Sequence, residues 1–209
     1  EPSVATLALR FLEKDFGNAA SPIHDYGLFA RTAVEHARML VGKVVGARPD
    51  EVIFTSGATE SNNMAILGLI AAGQTSRRRH VITTAIEHKA VLEPVEELAR
   101  HGFEVEFLPV EPSGRFSPAR LAEALRPDTL LVSTMHVNNE TGVLQPLDEL
   151  AEVLHGHEAW WHVDGAQGYG KDLDQLGNPR IDLVSISGHK IYGPKGIGAL
   201  IARKRDGHF

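Results

Sequence analysis

The sequence predicts an α/β protein in which a mostly parallel seven-stranded sheet carries helices on both faces. From residue 50 onward, short β-rich runs alternate with amphipathic segments. Repeated strand–helix–strand order favours crossover connections and therefore parallel pairing. The connection after residue 187 is too short for a helical crossover, so the last strand should be antiparallel.

Each element is justified by its pattern and its boundary residues. Leu, Phe and Val recur at helical spacing in the first two segments, and Ser117 followed by Pro118 is typical of a helix start. The expected helices cover residues 4–16, 25–46, 59–72, 90–100, 118–126 and 147–155. The expected strands cover residues 51–55, 80–86, 103–110, 129–137, 160–164, 181–187 and 197–203. With 209 residues and no internal linker, we expect one domain.

Composition argues against several classes of function. The net charge of −6 does not suit an extensive nucleic-acid interface, which requires a basic excess. No apolar run approaches the roughly 20 residues of a membrane span. The absence of cysteine removes disulfides and thiolate chemistry from these residues and fits a reducing compartment. We therefore expect a cytoplasmic protein with no direct nucleic-acid or membrane partner.

Polar residues follow five of the expected strands where each strand ends. These segments are residues 56–59, 87–88, 138–140, 164–167 and 187–190. In open parallel sheets, ligands bind beyond the carboxyl ends of the strands. The pattern therefore predicts a site for a charged ligand at this edge.

The first of these segments has the features of a phosphate site. Gly57 and Ala58 let a ligand approach the backbone, and the free N–H groups of the following helix, with the Thr59 hydroxyl, would bind an anion. The alternative is a plain turn with Thr59 as the helix N-cap. Ser187 and His189 are close enough in sequence to Lys190 to add phosphate ligands.

Asp164 and Lys190 are candidates for chemistry on a pyridine ring. A carboxylate at the mouth of an apolar strand needs a cationic partner, and a protonated pyridine nitrogen is one. Gln167 could hydrogen-bond a phenolic oxygen of the same ring. Lys190, flanked by glycines after an apolar strand, suits Schiff-base chemistry. The alternatives are a capping or loop aspartate and an ordinary surface lysine.

Histidines offer two further hypotheses. His88 could stack on a flat ring and exchange protons near neutral pH, or it could simply be hydrogen-bonded at a strand end. A metal site built from His155, His157 and His162 is rejected, because the first two lie on different helix faces and no zinc-helix pattern accompanies them.

Four long motifs in register resemble those of cysteine desulfurases, a group of class V aminotransferases among the fold-type-I pyridoxal-phosphate enzymes. The motifs are residues 54–63, 135–142, 162–167 and 187–198, and the likeness runs from about residue 4 to residue 203. The resemblance implies a homodimer that takes sulfur from L-cysteine, leaves L-alanine and passes the sulfur to an acceptor protein. The acceptor pathway would be iron–sulfur clusters, thiolated tRNA or phosphorothioated DNA.

The resemblance also implies roles for individual residues. Lys190 would bond to the pyridoxal 5′-phosphate cofactor, and His88 would stack on its ring and act in acid–base steps. Asp164 would pair with the ring nitrogen and Gln167 with the ring hydroxyl. Asn139 would contact the substrate carboxylate. The phosphate ligands would be Ala58, Thr59, Ser187 and His189.

Departures from the family pattern shape the remaining expectations. Residues 1–209 would be a large cofactor-binding domain without the family's first strand, its small domain and the loop that carries the persulfide-forming cysteine. The piece alone is expected to be inactive. Alternatives are another class V enzyme, such as a selenocysteine lyase, a cysteine sulfinate desulfinase or an aminotransferase, or a truncated non-catalytic product.

Overall fold

One seven-stranded sheet organises the computed structural model, which describes residues 1–21 and 23–205. Its strands are β1 (Val52–Thr55), β2 (His80–Thr84), β3 (Glu104–Leu108), β4 (Thr129–Met135), β5 (Trp160–Asp164), β6 (Leu183–Ser187) and β7 (Gly198–Ala202). Their order across the sheet is β1-β7-β6-β5-β4-β2-β3. The predicted α/β class and strand number are confirmed.

Strand β7 is the antiparallel member of the sheet. It pairs antiparallel with both β1 and β6, whereas the pairs from β6 through β5, β4 and β2 to β3 are parallel. Strand β1 therefore runs in the same direction as the parallel strands. The predicted antiparallel return of the last strand is confirmed.

Seven α-helices are found in the described residues. They are α1 (Pro2–Glu13), α2 (Asp25–Lys43), α3 (Ala58–Leu67), α4 (Ile70–Ser76), α5 (Lys89–Arg100), α6 (Pro118–Ala124) and α7 (Leu147–Val153). The prediction of one helix over 59–72 is wrong, because the segment divides into α3 and α4 at Gly68 and Leu69. Glycine is a weak helix former, and this break lets the chain turn between the two helices.

Both faces of the sheet carry apolar packing, as predicted. Val81 and Ile82 are neighbours in β2, yet they belong to different core clusters, because successive side chains of a strand point to opposite faces. Helices α3 and α5 contribute Ile66 and Val95 to one cluster. On the other face the core takes residues from α6 and α7, with Leu121 among them.

Helices α1 and α2 present apolar side chains to solvent. No residue of α1 is buried, and large apolar side chains of α1 and α2 such as Leu12, Leu28 and Phe29 are exposed. Within residues 1–21 and 23–205, none of the helices combines the length and apolar character that crossing a membrane requires.

Candidate active site

The carboxyl ends of β1, β2, β4, β5 and β6 meet at one edge of the sheet around a cavity of about 420 Å³. That volume lies within the range of about 300–1,000 Å³ that is usual for small-molecule sites. The predicted site residues all line this cavity. They are Ala58, Thr59, His88, Asn139, Asp164, Gln167, Ser187, His189 and Lys190.

The start of α3 forms the anion-binding end of the cavity. The N-cap is Gly57, and no described side chain caps the helix, so the interpretation of Thr59 as the cap is wrong. The Ala58 and Thr59 backbone thus begins the helix at the cavity wall, where free N–H groups favour an anion. Nearby, the Ser187 hydroxyl and His189 Nδ1 are 3.0 Å apart and share a hydrogen bond.

A glycine in β7 brings this end together. A Cβ atom on Gly198 would lie 2.6 Å from the Gly57 Cα and 2.5 Å from the Ile186 carbonyl oxygen. Only glycine fits between these two backbone segments. The close approach therefore fixes the turn before α3 beside the end of β6.

Lys190 reaches the cavity from a short 3-10 turn, Gly188–Ile191, directly after β6. Tyr192 closes that turn with a left-handed backbone at φ 67°, which is unusual for a non-glycine residue. Lys190 is half-buried, and Lys195 also lines the cavity but is exposed. Two amines thus face the cavity, and Lys190 is the more sheltered one.

Asp164 is a buried carboxylate at the end of β5. It is 7% exposed, and burial raises the pKa of its carboxyl, against the hydrogen bonds from the Ala166 N–H and the Asn62 amide. These donors lie 3.0 Å from Oδ1 and 2.9 Å from Oδ2 respectively. Among the described residues, no arginine, lysine or histidine forms an ion pair with it. The carboxylate therefore lacks a cationic partner within ion-pair distance.

The two ring nitrogens of the exposed residue His88 differ in their surroundings. It is the N-cap of α5, and its Nδ1 accepts the Ala90 N–H at 3.1 Å. The alternative that His88 is simply hydrogen-bonded at a strand end therefore holds for Nδ1 only. Because Nδ1 is an acceptor, the proton of the neutral ring lies on Nε2. The cap fixes the ring and leaves Nε2 for a ligand.

A tight turn after β4 presents Asn139. The Asn138 side-chain oxygen accepts the N–H groups of Glu140 and Thr141, and its amide donates to the Ile86 carbonyl. The exposed Asn139 side chain donates to Glu140 at 2.8 Å. Asn138 thus ties the Asn139 turn to the loop that carries His88.

Glu87 belongs to the predicted polar segment 87–88, but the sequence assigned it no role. Its Oε1 accepts the Thr84 hydroxyl at 2.6 Å and the Met135 N–H at 2.8 Å, whereas its buried Oε2 has no partner among the described residues. Burial, with the neighbouring charge of Asp164, raises the pKa of Glu87 to about 8. The side chain is therefore a neutral acid at pH 7. The sequence around Glu87, including His88, does not indicate that the Glu87 side chain is buried.

The histidines considered for a metal site lie apart from the cavity. His162 is buried and uses both ring nitrogens, at 2.8 Å from the Ser133 hydroxyl and 2.9 Å from the Ser185 hydroxyl. Burial lowers the pKa of His162 to about 3. His157 contacts the Arg126 carbonyl through Nε2. No group of metal-ligating side chains is found within the described part of the chain.

Several residues that line the cavity were not predicted as site residues, including three with polar or polarisable side chains. Asn62 lies within α3, Met135 at the end of β4, and Lys195 in the loop before β7. Met135 could have been found, because it ends a strand at the same edge. Asn62 gave no such signal, since a polar residue inside a helix is ordinarily solvated.

Taken together, these features fit pyridoxal 5′-phosphate. The helix N-terminus with Ser187 and His189 suits a phosphate, Lys190 supplies a half-buried amine, and Asp164 is a buried carboxylate with no ion pair among the described residues. A protonated pyridine nitrogen would be a suitable cation for this carboxylate.

Comparisons with known proteins agree with this geometry. The chain is 48% identical over 197 residues to the cysteine desulfurase IscS of Dictyoglomus turgidum, covering 93% of this chain and 49% of that protein. The crystal structure of DndA from Streptomyces lividans matches with a TM-score of 0.91 and 58% identity, over 98% of this chain and 56% of that one.

A second solved structure, described as SspA in complex with cysteine, matches with a TM-score of 0.89 and 39% identity over 97% of this chain and 58% of that one. The chain thus spans about half the length of the relatives that it matches. The aminotransferase class V family matches residues 1–208. The chain belongs to the class V aminotransferase family.

Proposed function

We propose that the protein carrying this chain is a pyridoxal-phosphate-dependent cysteine desulfurase, which converts L-cysteine to L-alanine and passes the sulfur to an acceptor protein. One observation carries the proposal: the Lys190 amine, the buried Asp164 carboxylate and the N-terminus of α3 surround one cavity. Similarity to cysteine desulfurases over nearly the whole chain supports the substrate, as does the likeness to SspA, whose structure contains cysteine.

Each residue has a task in this proposal. The Lys190 amine holds the cofactor covalently, and Ala58, Thr59, Ser187 and His189 hold its phosphate. Asp164 pairs with the ring nitrogen, and Gln167 hydrogen-bonds the ring hydroxyl. When bound, the cofactor supplies an electron sink for bond cleavage at the α-carbon of the substrate.

The substrate is handled by two further groups. Asn139 binds its carboxylate, and His88, fixed through Nδ1, moves a proton at Nε2. The thiol that accepts sulfur must come from outside these 209 residues, because they contain no cysteine. We propose that residues 1–209 are the large cofactor-binding domain of a homodimeric enzyme. The exposed apolar side chains of α1 and α2 support further covering structure.

The pathway that receives the sulfur is a more specific proposal than the reaction itself. We propose an acceptor that serves iron–sulfur clusters, tRNA thiolation or DNA phosphorothioation, and the similarity to the cysteine desulfurase IscS and to DndA supports this set.

The test uses the full-length protein loaded with pyridoxal 5′-phosphate. L-cysteine with a thiol reductant should give alanine and sulfide in equal amounts, and Lys190→Ala should remove both products. Selenocysteine, cysteine sulfinate and a 2-oxo acid with an amino donor are supplied in parallel. Faster turnover of one of these than of L-cysteine would replace the desulfurase proposal with the corresponding class V activity.

A further inference from the structure

Asn62 is a buried polar side chain at the wall of the cavity. It lies in the second turn of α3 and has no solvent exposure. Ala65 and Ile66, three and four positions further along the same helix, are buried as well. Packing alone would favour an apolar residue here, because a buried amide costs free energy unless its hydrogen bonds are made.

The hydrogen bonds of Asn62 are only half made. Its Nδ2 donates to Asp164 Oδ2 at 2.9 Å across 102 residues of sequence, whereas its buried Oδ1 has no hydrogen-bond partner among the described residues. The Ala166 N–H donates to the other carboxylate oxygen. An amide retained at this cost is best explained by what its one bond does to Asp164.

We propose that Asn62 is a positioning residue that fixes the Asp164 carboxylate for the ring nitrogen of pyridoxal 5′-phosphate, an inference that rests on the proposed function. A donor to a carboxylate favours the charged form, which is the form that pairs with a protonated ring nitrogen. The two donors, one on each oxygen, also hold the carboxylate in a single orientation.

Asn62 lies on the same helix as Thr59, which is at the phosphate end of the cavity. Thr59 precedes Asn62 by three residues, so the two are about 4.5 Å apart along the helix axis at 1.5 Å per residue. One rigid helix therefore sets both the phosphate end and the partner of the ring nitrogen. Helix α3 would therefore position both the phosphate and the ring nitrogen of the cofactor.

The test compares two ligands on two variants of the full-length protein. Asn62→Leu removes the donor and keeps the approximate side-chain size. Asn63→Leu is the matched control, because Asn63 bonds only to the Thr59 carbonyl of its own helix in the described contacts. Dissociation constants are measured by absorbance titration for pyridoxal 5′-phosphate and for its deaza analogue, in which C–H replaces the ring nitrogen. Urea unfolding of the cofactor-free proteins is measured alongside.

Asn62→Leu should weaken binding of pyridoxal 5′-phosphate roughly ten- to a hundredfold, the range for one hydrogen bond to a charged group. Binding of the deaza analogue should stay as in the wild type, and the unfolding midpoint should not fall. Asn63→Leu should leave both ligands unaffected.

Equal weakening of both ligands, or no weakening of either, would overturn the inference. If Asn62→Leu does not fold, Asn62→Ala is measured in the same way, and the same difference between the ligands decides. A wild-type protein that binds neither ligand would instead reject the proposed function.

Discussion

Glu87 should make the stability of the protein fall as the pH rises. Burial raises the pKa of its carboxyl from an ordinary 4.5 to about 8, so the folded state keeps a proton that the unfolded chain has lost over this window. The folded state binds more protons there, and its stability therefore decreases from pH 4.5 and levels off above pH 8. At about 1.4 kcal/mol per pH unit, the full effect is about 5 kcal/mol.

The substitution Glu87→Gln removes the titration and keeps the shape. The amide oxygen still accepts the Thr84 hydroxyl and the Met135 N–H. The unfolding free energy of the variant, relative to wild type, should therefore rise by about 2.5 kcal/mol between pH 5 and pH 7. At pH 5 the two proteins should differ by less, because most of the penalty lies above that pH.

The assay is urea unfolding of the cofactor-free full-length protein, followed by circular dichroism at pH 5, 6, 7 and 8. Glu96→Gln is the control, since Glu96 lies on the exposed side of α5. It should shift stability by the same small amount at every pH. Parallel pH profiles for Glu87→Gln and wild type would refute the assignment of a buried neutral acid.

Three further predictions concern catalysis. Lys190→Ala should abolish covalent cofactor attachment, and borohydride reduction with peptide mapping checks this; label on Lys195 of the wild type would contradict it. Asp164→Asn should keep part of the cofactor binding but slow alanine formation on the order of a hundredfold or more, because an amide cannot keep the ring nitrogen protonated; near-normal alanine release would argue against that pairing. Residues 1–209 alone should release no cysteine-dependent sulfide above a cofactor-only control, since they contain no thiol; alanine well above the control would mean that sulfur leaves without an enzyme thiol.

The sequence predicted the sheet and the edge that holds the cavity. Hydrophobic periodicity identified every strand, and chain order made the pairing parallel, so the residues after each strand had to meet. The structure places the nine expected side chains around one cavity, and their roles stay predictions. The short link between β6 and β7 was enough to predict the antiparallel return.

Features that depend on distant contacts were not predictable. The helix propensity of Gly68 permits a break there but does not require one, and the cap at Gly57 depends on backbone packing against Gly198. Arg78, in a basic run after α4, donates to the Glu158 carbonyl. That bond spans 80 residues, so it could not be inferred from neighbouring sequence.

The buried polar groups at and near the carboxyl ends of β2 and β5 bear on the charge of Asp164. His162 lies between two serine hydroxyls, Glu87 stays neutral, and Asp164 receives two neutral donors. None of these groups supplies a positive charge within ion-pair distance of Asp164 among the described residues, because burial lowers the pKa of His162 to about 3. The carboxylate thus accepts hydrogen bonds from neutral groups and has no ion pair among the described residues. A cationic ligand in the cavity would favour its ionised form, so under the proposed function we expect the charge of Asp164 to be coupled to cofactor binding.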